Sequence, residues 1–333
     1  MKFQPKWTQE EIESARRCVE KSKARGLGIE HGYGAAAALL ETTPGAVRNM
    51  LFRADGKRAK PRASTTKIKG RMHVVIGDTQ VKPDVCTDHL AWIGRYIADR
   101  CAGHDVAIIH LGDHWDMPSL SSYDHGKKAI EGKRYIDDIK AGNDAFSLLN
   151  KPIAEAMKGG RWKPERHFLF GNHEERIKRA CNDVAQLDGK LSLEDCDTQG
   201  WQRHAFLEPT SIDGVVYSHY FYNPKTGKPL SGENLYPRLK TIGHTFTMGH
   251  QQGLQYTLRP VGGKMQHGLV IGSTYLHDEE YMGPQGNAEW RGIVVCHQVE
   301  EGHYDPMFVS LDYLCRRYEG KTLAQFLIHK KVA

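Results

Sequence analysis

The sequence predicts an α/β fold in which two stacked, mixed β-sheets are flanked by helices, preceded by a small all-helical domain. Two observations predict the larger, α/β domain. Short apolar runs end repeatedly in Gly-Asp, Gly-Asn or Gly-His, which is typical of strands that deliver polar residues to the carboxyl edge of a sheet. Segments with apolar residues at helical spacing separate these runs, and the many short strands predicted between residues 205 and 309 favour a second sheet.

Length and charge predict two unequal domains. The chain has 333 residues and a net charge of +6. Residues 1–70 hold 15 Lys and Arg against 7 Asp and Glu, which is +8 and leaves −2 for the remainder. We therefore expect a basic helical module over residues 1–54, a basic linker over residues 55–69 and the α/β domain over residues 70–333.

The composition also indicates the cellular compartment in which we expect the protein. No apolar run is long enough to span a bilayer, and the first residues lack the apolar core of a secretory signal. The seven cysteines are scattered, odd in number and without a Cys-x-x-Cys pair, which fits reduced thiols better than disulfides or a zinc ribbon. We expect a soluble, cytoplasmic protein with no membrane partner.

The N-terminal module is predicted to contain three helices. Thr8 and Glu11 form a capping-box pattern that opens a helix ending near Lys23. Residues 33–40 favour a second helix, and Thr43-Pro44 favours a third that reaches Phe52.

Two short helices around a tight turn resemble a helix-turn-helix, which predicts a nucleic-acid partner. The expected contacts lie on the third helix and the linker: Arg48, Asn49, Arg53, Lys57, Arg58 and Lys60. The alternative is a basic helical bundle that docks on the larger domain or on a protein. The sequence identifies no such protein partner.

In the larger domain, strands are predicted at residues 73–76, 106–111 and 168–170, with helices between them. A long amphipathic helix is predicted over residues 134–157, and a final helix over residues 311–329. The loop after Asp116 carries Tyr123 and His125, which are candidate substrate contacts if the loop is not simply a solvated surface.

Potential metal ligands follow five of the predicted strands. They are Asp78-Thr79-Gln80, Gly112-Asp113-His114-Trp115-Asp116, Gly171-Asn172-His173-Glu174, His219 and Gly249-His250-Gln251-Gln252. Carboxylates, amides and imidazoles at one sheet edge are typical of a metal centre. The alternative is a set of ordinary turn and core residues.

This order of motifs resembles the calcineurin-like metallophosphoesterase superfamily, over roughly residues 70–312, and in style its bacteriophage-encoded members. The resemblance implies an αββα sandwich and phosphoester hydrolysis with two divalent metals. It implies that Asp113 bridges the metals. It assigns the remaining ligands to two sites: Asn172, His219 and His250 for one, and Asp78, Gln80 and Gln252 for the other.

By the same resemblance, His173 is the general acid and Asp116 holds its other ring nitrogen. A helix predicted after Glu174 begins near the site and places Arg176 in its first turn, which makes Arg176 a candidate substrate contact. His250 is preferred over His244 as the last ligand because the apolar run of residues 246–248 precedes it. His110 and His114 are expected to pack near the site without binding metal.

Two departures from the family bear on the metal. Gln80 and Gln252 replace histidines at one site, and the resulting all-oxygen shell favours Mn²⁺, with Mg²⁺ or Fe²⁺ as alternatives and Zn²⁺ disfavoured. Alternatively, that site binds metal weakly or not at all.

The expected substrate is a phosphoester in nucleic acid, with DNA favoured over RNA, because a basic module precedes the catalytic domain. The arginines that clamp phosphate in the family's protein phosphatases are replaced by Met117 and Phe170, which disfavours that activity. A small-molecule or cyclic-nucleotide phosphodiesterase remains an alternative, as does a DNA-binding regulator with an inactive phosphoesterase domain. If the chain is phage-encoded, its compartment is the host cytoplasm.

Overall fold

The computed structural model describes residues 7–54, 70–124, 126–279 and 282–332. The chain divides into two compact units, Met1–Ile68 and Lys69–Ala333. The predicted linker with Lys57, Arg58 and Lys60, and the loop residue His125, lie outside the described residues.

Three helices form the first unit: α1 (Gln9–Ala24), α2 (Ile29–Leu39) and α3 (Pro44–Ala54). The predicted capping box opens α1, since the Thr8 side chain and Glu11 satisfy each other's backbone N–H groups. Helix α2 begins four residues earlier than predicted, because Gly28 supplies an extended N-cap. Gly32 lets α2 approach α1 closely, since a Cβ there would lie 2.6 Å from the Val19 Cα. A small apolar core joins the three helices.

The second unit contains the remaining elements. Its first half comprises β1 (Arg71–Ile76), α4 (Asp88–Cys101), β2 (Val106–His110), α5 (Tyr135–Met157), β3 (Glu165–Leu169), α6 (Glu175–Asp183) and β4 (Gln202–His204). The second half comprises β5 (Thr210–Ile212), β6 (Val215–Ser218), α7 (Leu235–Ile242), β7 (Phe246–Met248), β8 (Gln255–Val261), β9 (Lys264–Val270), α8 (Gly283–Gly286), β10 (Gly292–Glu300), β11 (His303–Ser310), α9 (Leu311–Glu319) and α10 (Leu323–Val332).

The strands form two mixed sheets, as the sequence predicts. The first has the order β11-β10-β1-β2-β3-β4 and the second the order β5-β6-β7-β9-β8. Strands β1 to β4 run parallel, whereas β10 is antiparallel to both of its neighbours. In the second sheet β6, β7 and β9 run parallel. The carboxyl ends of neighbouring parallel strands therefore meet at one edge of each sheet.

Alternation along the strands assigns side chains to layers. Val74 and Ile76 of β1 face a core that includes residues of α4, α5 and α9, whereas Val75 faces a core shared with the second sheet. On the outer face of the second sheet, Phe246 packs with Leu239 of α7. The layers thus run helix, sheet, sheet, helix.

Two predicted elements differ from the structure. The final helix is broken, because Gly320 caps α9 in the left-handed conformation, φ 68°, before α10 begins. Helix α7 lies within residues 205–309, where short strands were predicted to dominate and no helix was predicted. Among the described residues, no helix has the length and apolarity that crossing a membrane requires.

The first prediction concerns a buried histidine. Burial lowers the pKa of His89, on α4, to about 3 from 6.5. Below pH 6.5 the unfolded chain therefore binds a proton that the folded chain does not bind until about pH 3, so stability falls as the pH decreases through this window. We expect His89→Leu to reduce this dependence in urea unfolding measured across the window.

Ile93→Val in the same helix is the matched control. It should cost about 1 kcal/mol of stability through a lost methylene and leave the pH dependence unchanged. Identical pH dependence in the His89→Leu variant and the unmodified protein would contradict the assignment.

Candidate metal centre

The predicted ligands lie directly after strands of both sheets. Asp78 and Gln80 follow β1, Asp113 follows β2 and Asn172 follows β3, while His219, His250 and Gln252 follow β6 and β7. Four of them have positive φ: Gln80 38°, Asp113 51°, His250 67° and Gln252 61°. Strained backbone in non-glycine residues concentrates at functional sites, because the surrounding fold must enforce it.

Asp113, His219 and His250 form one group that could hold a metal ion. Each offers a ligand atom, and these atoms lie within 4.8 Å of one another. The Nδ1 of His219 donates to the Leu111 carbonyl at 2.7 Å, which leaves Nε2 to face the group. His250, and not His244, belongs to this group. The Nδ1 of His244 lies 3.2 Å from the Thr245 carbonyl oxygen.

Asn172 lies beside this group. The Nε2 of His219 is 2.8 Å from the Asn172 Oδ1 and 3.2 Å from the Asp113 Oδ2. Thus the imidazole nitrogen, the amide oxygen and the carboxylate predicted to share a metal converge at one point.

Asp78, Gln80 and Gln252 are buried residues with unequal hydrogen bonding. Within the described residues, the Asp78 Oδ2 and both polar atoms of the Gln80 side chain have no hydrogen-bond partner. The other oxygen of Asp78 accepts from the His250 backbone N–H at 3.0 Å, and the Gln252 Oε1 accepts from the Tyr275 hydroxyl at 2.9 Å. Buried oxygens without donors are costly unless a cation meets them, so this donor set fits an oxygen-preferring metal.

Electrostatics at the site favour positive charge. Burial raises the pKa of Asp78 to about 6. Burial alone would lower the pKa of His219, but Asp113 raises it to about 9. The carboxylates thus hold a proton on His219, and the same negative field attracts a divalent cation.

Glu174 holds the two loops of the site together. Its buried carboxylate accepts four backbone N–H groups: Asp113 at 3.0 Å, His114 at 2.6 Å, Trp115 at 3.1 Å and Gly171 at 2.8 Å. The first three follow β2 and the last follows β3. One side chain therefore fixes the loop that carries Asp113 against the loop that carries Asn172.

His173 and Asp116 form a close pair beside the cluster. The His173 Nδ1 is 2.6 Å from the Asp116 Oδ1, and its Nε2 is 3.7 Å from the Asp113 Oδ2. Burial opposes protonation of His173, but Asp113 and the bond to Asp116 raise its pKa above the usual value. Arg176 donates to the Asp116 carbonyl at 2.8 Å and has its other terminal nitrogen 3.4 Å from the His173 Nε2.

Other predicted contacts are not members of the Asp113–His219–His250 group. Tyr123 is 81% exposed on a single 3₁₀ turn, Ser122–Asp124. In the first unit, α3 includes Arg48, Asn49 and Arg53, with Asn49 exposed. His110 and His114 are buried around the Thr79 hydroxyl, as expected of packing residues.

Four residues at the site had no assigned role in the sequence analysis. Besides Glu174, they are Lys82, whose amine lies 3.6 Å from the Asp116 Oδ2, Arg179, which donates to the Asn172 carbonyl at 2.7 Å, and Tyr220, whose ring centroid is 4.6 Å from that of His250. Proximity in sequence could have pointed to two of them: Tyr220 follows His219, and Arg179 lies one turn after Arg176. Lys82 needed the tertiary structure.

The arrangement combines a metal-binding group with a histidine–carboxylate pair directed at it, which suits metal-assisted hydrolysis. No protein-family model matches the chain. A search of curated proteins also finds no match.

The second prediction concerns Glu174. In Glu174→Gln an amide NH₂ replaces one oxygen that accepts backbone N–H groups, so at least one buried donor loses its partner. We expect a loss of about 2 kcal/mol in urea unfolding and weaker binding of divalent metal in calorimetry. Glu175→Gln is the matched control, since among the described residues the neighbouring carboxylate forms an ion pair with Lys178 alone, at 3.4 Å. Equal stability of the two variants would contradict the clamp.

Proposed function

We propose that the chain is a divalent-metal-dependent phosphoesterase whose larger domain is an αββα sandwich of the calcineurin-like metallophosphoesterase type. One observation carries the proposal: the group formed by Asp113, His219 and His250 lies beside a His173–Asp116 pair in which the His173 Nε2 is 3.7 Å from the Asp113 Oδ2. The order of the strand-end motifs along the chain supports the same reading.

Two metal ions would be held at the cluster. Asp113, Asn172, His219 and His250 would hold one, and Asp78, Gln80, Gln252 and Asp113 the other. When bound, such ions polarise the phosphoryl group and lower the pKa of the attacking water. Mn²⁺ suits the oxygen-rich second set best, ahead of Mg²⁺ or Fe²⁺ and of Zn²⁺.

His173 acts as the general acid. Asp116 binds Nδ1, so the proton available for transfer sits on Nε2, the nitrogen nearer Asp113. Burial opposes protonation of His173, but Asp113 and the bond to Asp116 raise its pKa above the usual value, which favours the protonated ring. His173 then gives this proton to the leaving oxygen, and Asp116 stabilises the imidazolium before transfer.

Arg176 positions the pair. Its guanidinium donates to the backbone carbonyls of Asp116 and Met117, at 2.8 and 3.2 Å, and therefore holds the loop that carries Asp116. Met117 and Phe170, at the positions where protein phosphatases of this type carry arginines, are buried. Neither can clamp a phosphate, which supports a substrate other than a phosphoprotein.

The substrate proposed is nucleic acid, with DNA favoured over RNA. Residues 55–69 hold six Lys and Arg against one Asp, whereas residues 7–54 hold seven Lys and Arg against six Glu. The positive charge thus lies mainly in the segment with Lys57, Arg58 and Lys60, which we assign to phosphate contacts. The helix-turn-helix-like module, with Arg48, Asn49 and Arg53 on α3, would orient the duplex.

The third prediction tests metal and substrate together. Protein stripped by a chelator and reloaded with Mn²⁺, Mg²⁺, Fe²⁺ or Zn²⁺ is incubated with single-stranded DNA, duplex DNA, RNA, a cyclic nucleotide and a chromogenic phosphodiester. We expect the fastest turnover with Mn²⁺ and cleavage of the DNA substrates. Best turnover with Zn²⁺ would contradict the proposed ligand set, and cleavage of only the small esters would replace the nucleic-acid substrate with a small molecule.

The fourth prediction separates proton transfer from metal binding. As a general acid, His173 matters in proportion to the basicity of the leaving group. His173→Ala should lose about 10²–10⁴-fold in kcat on an ester with a sugar alkoxide leaving group and much less on a nitrophenyl ester, which leaves without a proton.

Two variants serve as its controls. Asp116→Asn should give part of the same pattern, while Asp113→Ala should lose bound metal and activity on both esters. The general-acid role fails if His173→Ala slows both esters equally or empties a metal site, as measured by elemental analysis of the purified protein.

A further inference from the structure

We infer that Tyr220 and Tyr222 form a stacking site for an unpaired nucleobase beside the metal centre, so that the bound substrate is single-stranded at this point. The inference rests on the proposed phosphoesterase function and names a substrate class for that site. Three features carry it: the hairpin that presents the two rings, their contact with His250, and the charge around them.

The two tyrosines belong to a hairpin that starts directly after His219. Tyr222 pairs with Pro229, and backbone hydrogen bonds join Asn223 to Lys228 at 2.8 Å and Leu230 to Phe221 at 2.8 Å. Phe221, between the tyrosines, is buried in the outer core of the second sheet, with its ring centroid 5.3 Å from that of Phe246. Because neighbouring residues of an extended segment point to opposite sides, anchoring Phe221 directs Tyr222 away from that core, whereas Tyr220 still packs partly against it.

An aromatic wall leads from the metal ligands to solvent. The ring centroid of Tyr220 lies 4.6 Å from that of His250 and 5.6 Å from that of Phe206, which braces it edge-on. Tyr222 continues the wall, 5.6 Å from Tyr220, and is 42% exposed. The contact with His250 explains the position of the Tyr220 ring but not that of the Tyr222 ring. The exposed Tyr222 ring offers a face to a planar ligand.

The charge around the wall suits a nucleotide. Lys225 and Lys228 are exposed at the end of the hairpin, and the exposed Arg179 donates to the Asn172 carbonyl at 2.7 Å. Neutral aromatic faces flanked by cations are the usual means of binding single-stranded nucleic acid.

The stacking geometry also constrains the substrate. A base inside a duplex has both faces covered by its neighbours, so only an unpaired base can lie on Tyr222. A strand whose phosphate lies at the metal centre would place an adjacent base near the wall, because Tyr220 touches the ligand His250 itself. We therefore expect preference for single strands or frayed ends over intact duplex.

The experiment pairs a protein change with a substrate change. Mn²⁺-loaded full-length protein is assayed on a short single-stranded DNA and on a series in which one nucleotide at a time is abasic, so that its phosphate remains and its base is removed. Tyr222→Ala is compared with Tyr222→Phe and Tyr222→Trp, which keep an aromatic face. Tyr313→Ala is the matched control, a tyrosine of similar exposure, 47%, on α9.

We expect Tyr222→Ala to raise KM for the intact strand about 10-fold with kcat unchanged, the size expected of one lost base stack. At one abasic position the same substitution should have no further effect, because the base that stacks on Tyr222 is already missing. Tyr222→Phe, Tyr222→Trp and Tyr313→Ala should keep the KM of the unmodified protein.

Two results would overturn the inference: an unchanged KM in Tyr222→Ala, or the same loss on the intact strand and on every abasic strand. A chromogenic phosphodiester assayed in parallel separates this from the larger proposal. If that ester is turned over while the KM for the intact strand does not depend on Tyr222, only the stacking site fails, whereas no turnover of any ester by the unmodified protein defeats the phosphoesterase itself.

Discussion

The site depends first on one buried carboxylate. Two adjacent parallel strands, β2 and β3, end at the same edge, and the loops that follow them leave several backbone N–H groups without ladder partners. Glu174 accepts four of these groups, three from one loop and one from the other. Unpaired buried N–H groups are costly, so the carboxylate makes this tight juxtaposition possible. Glu174 also holds the backbone of Asp113 at φ 51°. In this conformation the Asp113 Oδ1 accepts a hydrogen bond from the His173 backbone N–H.

The candidate metal group depends in turn on the stacking of the sheets. Asp113 comes from the first sheet, whereas His219 and His250 come from the second, and the shared core of Val75, Ile109 and Tyr217 holds the two together. A hydrogen bond from His219 to the Leu111 carbonyl crosses the same boundary. Metal binding and correct packing of both sheets are therefore coupled, since the group is complete only when the two edges are aligned.

Local signals accounted for much of the fold. The capping box of α1, the apolar periodicity of α4 and α5, and the alternation in β1 gave elements close to those of the structure, because helix ends and strand faces are set by neighbouring residues. The break between α9 and α10 was missed, since apolar residues continue at helical spacing past Gly320. Helix α7 was missed because its eight residues are stabilised by packing on the second sheet, a contact that periodicity in a short segment does not reveal.

The sequence by itself determined the α/β class with two mixed sheets and the polar residues that end the strands, because each follows from the order of residues within a few positions. It also favoured His250 over His244, and His250 belongs to the group that could hold a metal ion. Only the tertiary structure decided that Glu174 joins two loops, that Lys82 lies beside Asp116, and that the Tyr220 ring packs against His250. These contacts join residues tens of positions apart or depend on the direction of a side chain, and only strand order and sheet packing bring such groups within reach of one another.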